Sequence, residues 1–170
     1  MPRLILLNGP PGIGKSTIAQ RYVDEHPFAL CLDLDVLRGQ LGGWRQDETR
    51  SGELARDLSI PMIRAHLGSG YDVVVPQFVA LPAYLDRLTE LGAMETVLMA
   101  DRVEAERRFH ARTGLHQRVA AEMVSEAGGY ARQYDQLRTT LANREAIEIL
   151  SVAGDVEGTY ALFLQAVTRE

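Results

Sequence analysis

The feature that most constrains this chain is a glycine-rich segment near its start, Leu7 to Thr17, with the sequence LNGPPGIGKST. Gly9, four further residues, Gly14, Lys15 and Ser16 match the pattern G-x-x-x-x-G-K-[ST] at every required position. The preceding stretch, RLILLN, is a short and nearly continuous apolar run, which is typical of a buried parallel strand. The following stretch, KSTIAQRYVDEH, carries apolar residues at helical spacing. A strand, this turn and a helix in that order predict a loop that binds phosphate.

The residue types in this loop suit a nucleoside triphosphate. Backbone N–H groups can approach phosphate closely at Gly9, Gly12 and Gly14 because no Cβ stands in the way. The N-terminus of the following helix adds a dipole that favours anions. Lys15 can reach the β- and γ-phosphates, and the Ser16 hydroxyl can ligate magnesium. The alternative is an ordinary strand-to-helix turn with a solvated lysine, and the complete pattern in its context favours the phosphate loop. The predicted nucleotide contacts are Gly9, Pro10, Pro11, Gly12, Ile13, Gly14, Lys15, Ser16 and Thr17.

Composition narrows the class of protein further. A length of 170 residues predicts a single domain, residues 1–170, with a substantial core. The net charge of −5 provides no general attraction for nucleic acid. The single cysteine, Cys31, excludes an internal disulfide and suits a reducing cytoplasm. No stretch approaches the roughly 18 apolar residues that span a membrane, and the N-terminus lacks the form of a signal peptide. We therefore expect a cytoplasmic protein that does not bind membranes.

Short apolar runs alternate with longer amphipathic stretches along the chain. The predicted strands are RLILLN, FALCLD, YDVVVPQF, ETVLMA and AIEILSV. A long helix is predicted over DETRSGELARDLSIPMIRAHLGSG, with Leu54, Leu58, Met62 and Ala65 on one face and Pro61 at a point that favours a kink. Strands that alternate with helices predict an α/β fold with a parallel sheet covered on both faces. Ligands of such sheets bind at the C-terminal ends of the strands.

Charged residues follow the second predicted strand, which ends in LDLDVLR. Residues two apart on an extended segment point the same way, so Asp33 and Asp35 can both face a bound nucleotide. One carboxylate can hold the metal, and the other can accept the proton of an attacking hydroxyl. Arg38 can bind a phosphate through its guanidinium fork. The alternative is that Asp33 caps the next helix while Asp35 and Arg38 are solvated.

GPPGIGKST followed by LDLD resembles the small P-loop kinases, which include shikimate kinase, chloramphenicol phosphotransferase and phage polynucleotide kinase. The resemblance implies a three-layer α/β P-loop NTPase fold with five parallel strands ordered 2-3-1-4-5, a helical lid, and ATP with Mg²⁺ as cofactors. Shikimate kinase carries an Asp-x-Asp at this place, which implies that Asp33 serves the magnesium and that Asp35 is the general base. Polynucleotide kinase has an Asp followed three residues later by an Arg, which Asp35 and Arg38 match.

The third predicted strand departs from the pattern of many P-loop proteins. They end this strand with an Asp that helps to hold magnesium, whereas VVVPQF has Pro76 and Gln77 there. Either Asp33 takes over the task or magnesium is held more weakly. Gln77 can hydrogen-bond the acceptor or the γ-phosphate, or it can be purely structural.

The resemblance also implies a lid over residues 102–128 whose arginines close over the triphosphate and exclude water. Its candidate arginines are Arg102, Arg107, Arg108, Arg112 and Arg118. Arg108 and Arg112 share a helical face, so we predict these two as catalytic. Glu104 stands one turn before Arg108 at a spacing that suits an ion pair, which leaves a surface salt bridge as the alternative.

Two further features each allow more than one role. Arg144 and the segment SVAGDVEG flank the fifth predicted strand, where the related kinases contact adenine. Trp44, next to Gly42 and Gly43, can stack on an acceptor or plug the core beneath the long helix.

The leading interpretation is an ATP-dependent phosphotransferase that acts on a hydroxyl of a small molecule. Its catalytic residues would be Lys15, Asp35, Arg38, Arg108 and Arg112. An alternative acceptor is a 5′-hydroxyl polynucleotide bound by the arginines of residues 102–118. A different class is an ATP-binding switch or regulatory ATPase without an acceptor. We expect a small-molecule partner and a monomer or homodimer.

Overall fold

The structure, a computed structural model, describes residues 1–113 and 115–168, and for residues 115–119 it describes the backbone alone. Five strands are present in this part of the chain: β1 (Leu4–Asn8), β2 (Leu30–Cys31), β3 (Val73–Pro76), β4 (Ala93–Met99) and β5 (Ile147–Leu150). The helices that connect and follow them are α1 (Lys15–Glu25), α2 (Leu34–Gly39), α3 (Glu48–Gly68), α4 (Pro82–Glu90), α5 (Arg102–Ala111), α6 (Leu115–Glu126), α7 (Tyr130–Leu141) and α8 (Val156–Thr168).

All strand pairs are parallel, and the sheet has the order β2-β3-β1-β4-β5. The predicted sheet and its strand order are confirmed. In this order β1, which leads into the glycine-rich loop, lies in the middle of the sheet. The ends of β3 and β4 therefore flank the loop, and the end of β2 lies one strand further out.

Alternate residues of β1 contribute to two hydrophobic cores, one on each face of the sheet. Ile5 and Leu7 pack with residues of α1, α5, α7 and α8. Leu4 and Leu6 pack with residues of α3 and α4. All four side chains are buried, as expected for a parallel strand covered on both faces. This double burial holds the end of β1, and thus the start of the loop, in place.

The apolar residues that share a face of α3 are not the ones that this helix buries. Leu54, Leu58 and Met62 are 36%, 43% and 39% exposed. The buried side includes Ser51 and Ser59, whose small side chains allow close packing. Ser59 and the Tyr84 hydroxyl are hydrogen-bonded at 2.7 Å across the α3–α4 contact, so burial leaves these polar groups satisfied. Helix α3 runs unbroken through Pro61.

Candidate nucleotide and acceptor site

One glycine of the glycine-rich loop packs tightly against α5, and another borders open space. Gly12 has a φ of 83°, and a Cβ added there would lie 2.8 Å from the Cα of Phe109 in α5. Gly14 has a φ of 105°, and a Cβ added there would meet nothing within 4 Å. The left-handed backbone favours glycine at both positions. Gly12 therefore lets α5 pack on the loop, and Gly14 borders open space.

The N-terminus of α1 is suited to an anion. Its N-cap is Gly14, and among the described residues no side chain caps it and none in its first turn is acidic. The first N–H groups of the helix thus keep their hydrogen-bonding capacity for a ligand, and the helix dipole favours negative charge at this end. These features, together with the open space at Gly14, fit the phosphates of a nucleotide.

The side chain of Lys15 folds back onto the backbone of the glycine-rich loop. Its Nζ donates hydrogen bonds to the carbonyl oxygens of Gly9 and Pro10, both at 2.9 Å. Desolvation lowers the pKa of Lys15 to about 8, and the positive charge of Arg112 adds to this effect. The carboxylates of Asp35 and Asp33 oppose it. The ammonium group therefore lies within electrostatic reach of both carboxylates and of Arg112.

Asp33 is the N-cap of α2, as the capping alternative anticipated. Its Oδ1 accepts hydrogen bonds from the backbone N–H groups of Asp35 at 2.9 Å and Val36 at 3.4 Å. The cap uses one oxygen and leaves Oδ2 outside these bonds. Ser16, in the first turn of α1, is exposed. A hydroxyl and a carboxylate fit Mg²⁺, which usually takes one or two carboxylates together with substrate phosphates. Within the described residues there is no cluster of three or more acidic, His or Cys side chains suited to a metal.

Asp35 follows the cap and is an exposed residue. Desolvation by the surrounding protein, and next the negative charge of Asp33, raise the pKa of the Asp35 carboxyl. A hydrogen bond from Gln77 and the charges of Lys15 and Arg38 act in the opposite direction. The ends of β2 and β3 thus bring Asp35 and Gln77 together in front of the loop.

Arg38 is buried at the junction of α2 and α3. Its Nε donates to the Ser51 hydroxyl and its Nη2 to the Glu48 carbonyl oxygen, both at 2.9 Å. Its guanidinium lies 5.0 Å from the centre of the Trp44 ring. Ser51 in turn donates to the Trp44 carbonyl oxygen at 2.9 Å. Arg38 therefore ties the Trp44 segment to α3, and Trp44 is half-buried against it rather than plugging the core.

The lid arginines differ in their surroundings. Arg108 donates from Nε to Glu104 at 2.7 Å, as the sequence spacing suggested, and from Nη1 to the Ser151 hydroxyl at 3.0 Å. Arg107 also pairs with Glu104. Arg112, at the end of α5, is exposed and contributes positive charge at Lys15. Of the two arginines predicted as catalytic, Arg108 anchors α5, and the charge of Arg112 helps to lower the pKa of Lys15. The side chain of Arg118 lies outside the described residues.

Sequence reasoning missed three side chains that hold the loop. The buried Asn8 amide donates to the Val79 carbonyl oxygen at 2.9 Å, and its oxygen accepts from the N–H groups of Gly9 and Val79. The Ser151 hydroxyl donates to the Ile13 carbonyl oxygen at 3.1 Å. The Tyr130 hydroxyl donates to the Pro11 carbonyl oxygen at 3.0 Å. An amide at the end of an apolar strand was a signal for Asn8, whereas the other two contacts come from remote parts of the chain.

The expected adenine contact of Arg144 is wrong. Arg144 precedes β5 and so lies at the opposite edge of the sheet from the loop. Its Nε donates to Glu95 at 2.9 Å and its Nη1 to Asp86 at 2.7 Å. Glu95 is almost fully buried, so Arg144 neutralises a buried carboxylate between α4 and β4.

Comparisons with known proteins agree with this geometry. A family model described as AAA domain matches residues 4–127. No curated protein matches the chain.

In the described part of the chain, no helix combines the length and apolar character needed to cross a bilayer.

Two solved structures share the fold over nearly the whole chain. A tunicamycin resistance protein from Deinococcus radiodurans aligns with a TM-score of 0.58 and 18% identity, over 98% of this chain and 94% of the other. A gluconokinase from Sinorhizobium meliloti aligns with a TM-score of 0.55 and 19% identity, over 96% of this chain and 93% of the other. The chain belongs to the AAA domain family and has the fold of the small P-loop kinases.

Proposed function

We propose that this protein is an ATP-dependent phosphotransferase that moves the γ-phosphoryl group to a hydroxyl of a small molecule. The observation that carries the proposal is the convergence of unlike charges in front of the loop. The ammonium group of Lys15, inside an open phosphate cradle, interacts with Asp35, Asp33 and Arg112. A cradle with a cation suits the phosphates, and a carboxylate that faces them suits an acceptor hydroxyl.

In the proposed reaction, Asp35 orients the acceptor hydroxyl and accepts its proton. The hydroxyl oxygen forms a bond to the γ-phosphorus while the bond from phosphorus to the β,γ-bridging oxygen breaks, and ADP leaves. Lys15 and the N–H groups at the start of α1 stabilise the negative charge on the phosphoryl oxygens. Ser16 and the Oδ2 atom of Asp33 would hold Mg²⁺, which when bound neutralises phosphate charge.

The two predicted lid arginines take different parts in this proposal. Arg112 is the arginine that neutralises charge on the phosphates, because it is exposed and acts on Lys15. Arg108 is a positioning residue, because its bonds to Glu104 and Ser151 hold α5 against the loop. Arg38 likewise positions the segment between α2 and α3.

The ion pairs that these arginines form favour a small acceptor over a polynucleotide. Arg107 and Arg108 pair with Glu104, and the buried Arg38 lies 3.6 Å from a carboxylate oxygen of Glu48. These cations are therefore partly neutralised, and the chain as a whole carries a net charge of −5. A surface that tracks a nucleic acid backbone needs unpaired cations along a groove. The single cysteine and the use of ATP suit a cytoplasmic enzyme.

The proposal is tested with γ-labelled ATP, magnesium and two separate acceptor pools. One pool contains small hydroxyl compounds, including gluconate and tunicamycin, which appear in the names of two proteins that share the fold. The other contains 5′-hydroxyl oligonucleotides. Label in the small-molecule pool is the expected result. Label in the oligonucleotide pool alone would identify a polynucleotide, and not a small molecule, as the acceptor. Release of free phosphate alone would indicate a regulatory ATPase.

A further inference from the structure

Gln77 carries a polar atom that the fold leaves unsatisfied. The residue directly follows β3, and its backbone N–H donates to the Leu7 carbonyl oxygen at 3.2 Å. This bond keeps Gln77 beside the end of β1, where the phosphate loop begins. The side-chain Oε1 of Gln77 is buried and, among the described residues, has no hydrogen-bond donor. A buried amide oxygen without a donor is destabilising, and buried polar groups in folded proteins are nearly always satisfied.

The neighbouring Asp35 explains the orientation of this amide. Gln77 forms a side-chain hydrogen bond to the Asp35 carboxyl that lowers the pKa of that group, so the NH₂ side of the amide faces Asp35. Rotating the amide by half a turn would bring Oε1 against a carboxylate, where two acceptors oppose each other. Oε1 therefore stays on the other side, without a donor.

Asn8 shows what a structural amide looks like at the same edge of the sheet. It ends β1, one strand away from Gln77, and is buried, whereas Gln77 is half-buried. Its amide makes three hydrogen bonds to the backbone of Gly9 and Val79. The fold thus satisfies one strand-end amide, whereas no described residue donates to the acceptor atom of the other.

We propose that Gln77 selects the acceptor, with Oε1 accepting a hydrogen bond from a second donor group that lies beside the hydroxyl to be phosphorylated. This inference rests on the proposed function and names its substrate class, which is a polyol or an amino alcohol. Asp35 and Gln77 Oε1 are two hydrogen-bond acceptors on the neighbouring segments that follow β2 and β3. Two adjacent donors on one small molecule match them, whereas a monohydric alcohol leaves Oε1 unpaired.

The unsatisfied state of Gln77 Oε1 is tested first by thermal stability, a measurement that needs no substrate. Gln77→Met keeps the length of the side chain and removes the unsatisfied oxygen, but it also removes the donor to Asp35. It is therefore introduced into Asp35→Ala, where that bond is already absent, and there we expect it to raise the Tm by roughly 2–4 °C. Asn8→Leu is the matched control, and its Tm should fall because three hydrogen bonds are lost. A fall in Tm when Gln77→Met is added to Asp35→Ala would show that Oε1 is satisfied within the fold and would overturn the inference.

A role of Gln77 in holding magnesium is tested by ATP binding. We expect Gln77→Met to keep the wild-type ratio of ATP affinities with and without magnesium. Loss of the magnesium-dependent gain in this variant would assign Oε1 to the metal and overturn the acceptor role.

The substrate class is tested by dividing the small-molecule pool. One part contains polyols and amino alcohols, and the other contains monohydric alcohols. Wild-type protein should label only the first part, and Gln77→Met should raise KM for those compounds more than it lowers kcat. Equal labelling of both parts by the wild type would overturn this inference alone. Labelling of neither part would overturn the proposed function as well.

Discussion

Gly12 and Gly14 of the phosphate loop should respond differently to the addition of a methyl group. In Gly12→Ala the new Cβ would lie 2.8 Å from the Cα and 3.0 Å from the backbone nitrogen of Phe109. Both atoms belong to the backbone of α5, which cannot give way as a flexible side chain can. In Gly14→Ala the new Cβ meets no protein atom within 4 Å.

The magnitudes follow from these contacts. An alanine with a left-handed backbone costs about 1–2 kcal/mol, which applies to both variants because both positions have a positive φ. Gly12→Ala adds an overpacking cost of about 1–3 kcal/mol. For a domain of this size, each kcal/mol lowers the Tm by about 2–4 °C. The Tm of Gly12→Ala should thus fall clearly further than that of Gly14→Ala.

ATP affinity should fall further in Gly14→Ala than in Gly12→Ala, which is the reverse of the order expected for the Tm. The methyl group of Gly14→Ala occupies the space where we place the phosphates, so its ATP affinity should fall at least about tenfold while it remains folded. Thermal melts and titration calorimetry with ATP measure the two properties. Wild-type ATP affinity in Gly14→Ala would refute the position of the phosphates. Equal Tm values for the two variants would refute the tight contact between Gly12 and α5.

Three further predictions concern the charges and the supports of the site. Since the pKa of Lys15 is about 8 in the free protein and bound phosphate favours its charged form, ATP affinity without magnesium should fall about tenfold from about pH 7 to about pH 9. A flat profile in the wild type would contradict this, and Lys15→Arg, which stays charged, supplies the baseline for titration of ATP itself. Glu95→Gln should lower the free energy of unfolding by about 2 kcal/mol through the loss of charged bonds to Arg144, with ATP affinity unchanged in calorimetry; weakened binding would restore an adenine role. Ser151→Ala removes the bond to the Ile13 carbonyl and should cost about 1–3 kcal/mol of stability in denaturant titrations, so a variant as stable as the wild type would show that this support is dispensable.

The sequence predicted what depends on local pattern. The phosphate loop could be recognised because its glycines, lysine and serine stand at set spacings between a strand and a helix. The alternation of strands and helices predicted a parallel sheet, and the order of its strands came from the resemblance to the small P-loop kinases.

What the sequence left open depends on contacts between remote residues. The sequence allowed Asp33 either to hold magnesium or to cap the next helix; its Oδ1 caps α2, and the magnesium role of its Oδ2 stays a prediction. Arg108 is tied to Ser151, which is 43 positions away, and no spacing rule anticipates such a partner. Helix α3 buries Ser51 and Ser59 on the side that carries Ala55, Ile60 and Ile63, and both serines find hydrogen-bond partners there. The fate of polar side chains in this protein is thus set by partners that only the fold brings together.

The central claim is that Asp35 serves phosphoryl transfer and not nucleotide binding. The most direct test compares the wild type with Asp35→Asn in the presence of ATP, magnesium and the small-molecule pool, with ATP affinity measured for both. We predict that Asp35→Asn binds ATP within about threefold of the wild type and transfers label at least about a hundredfold more slowly. Equal transfer by both proteins, or equal release of free phosphate without transfer, would contradict the account.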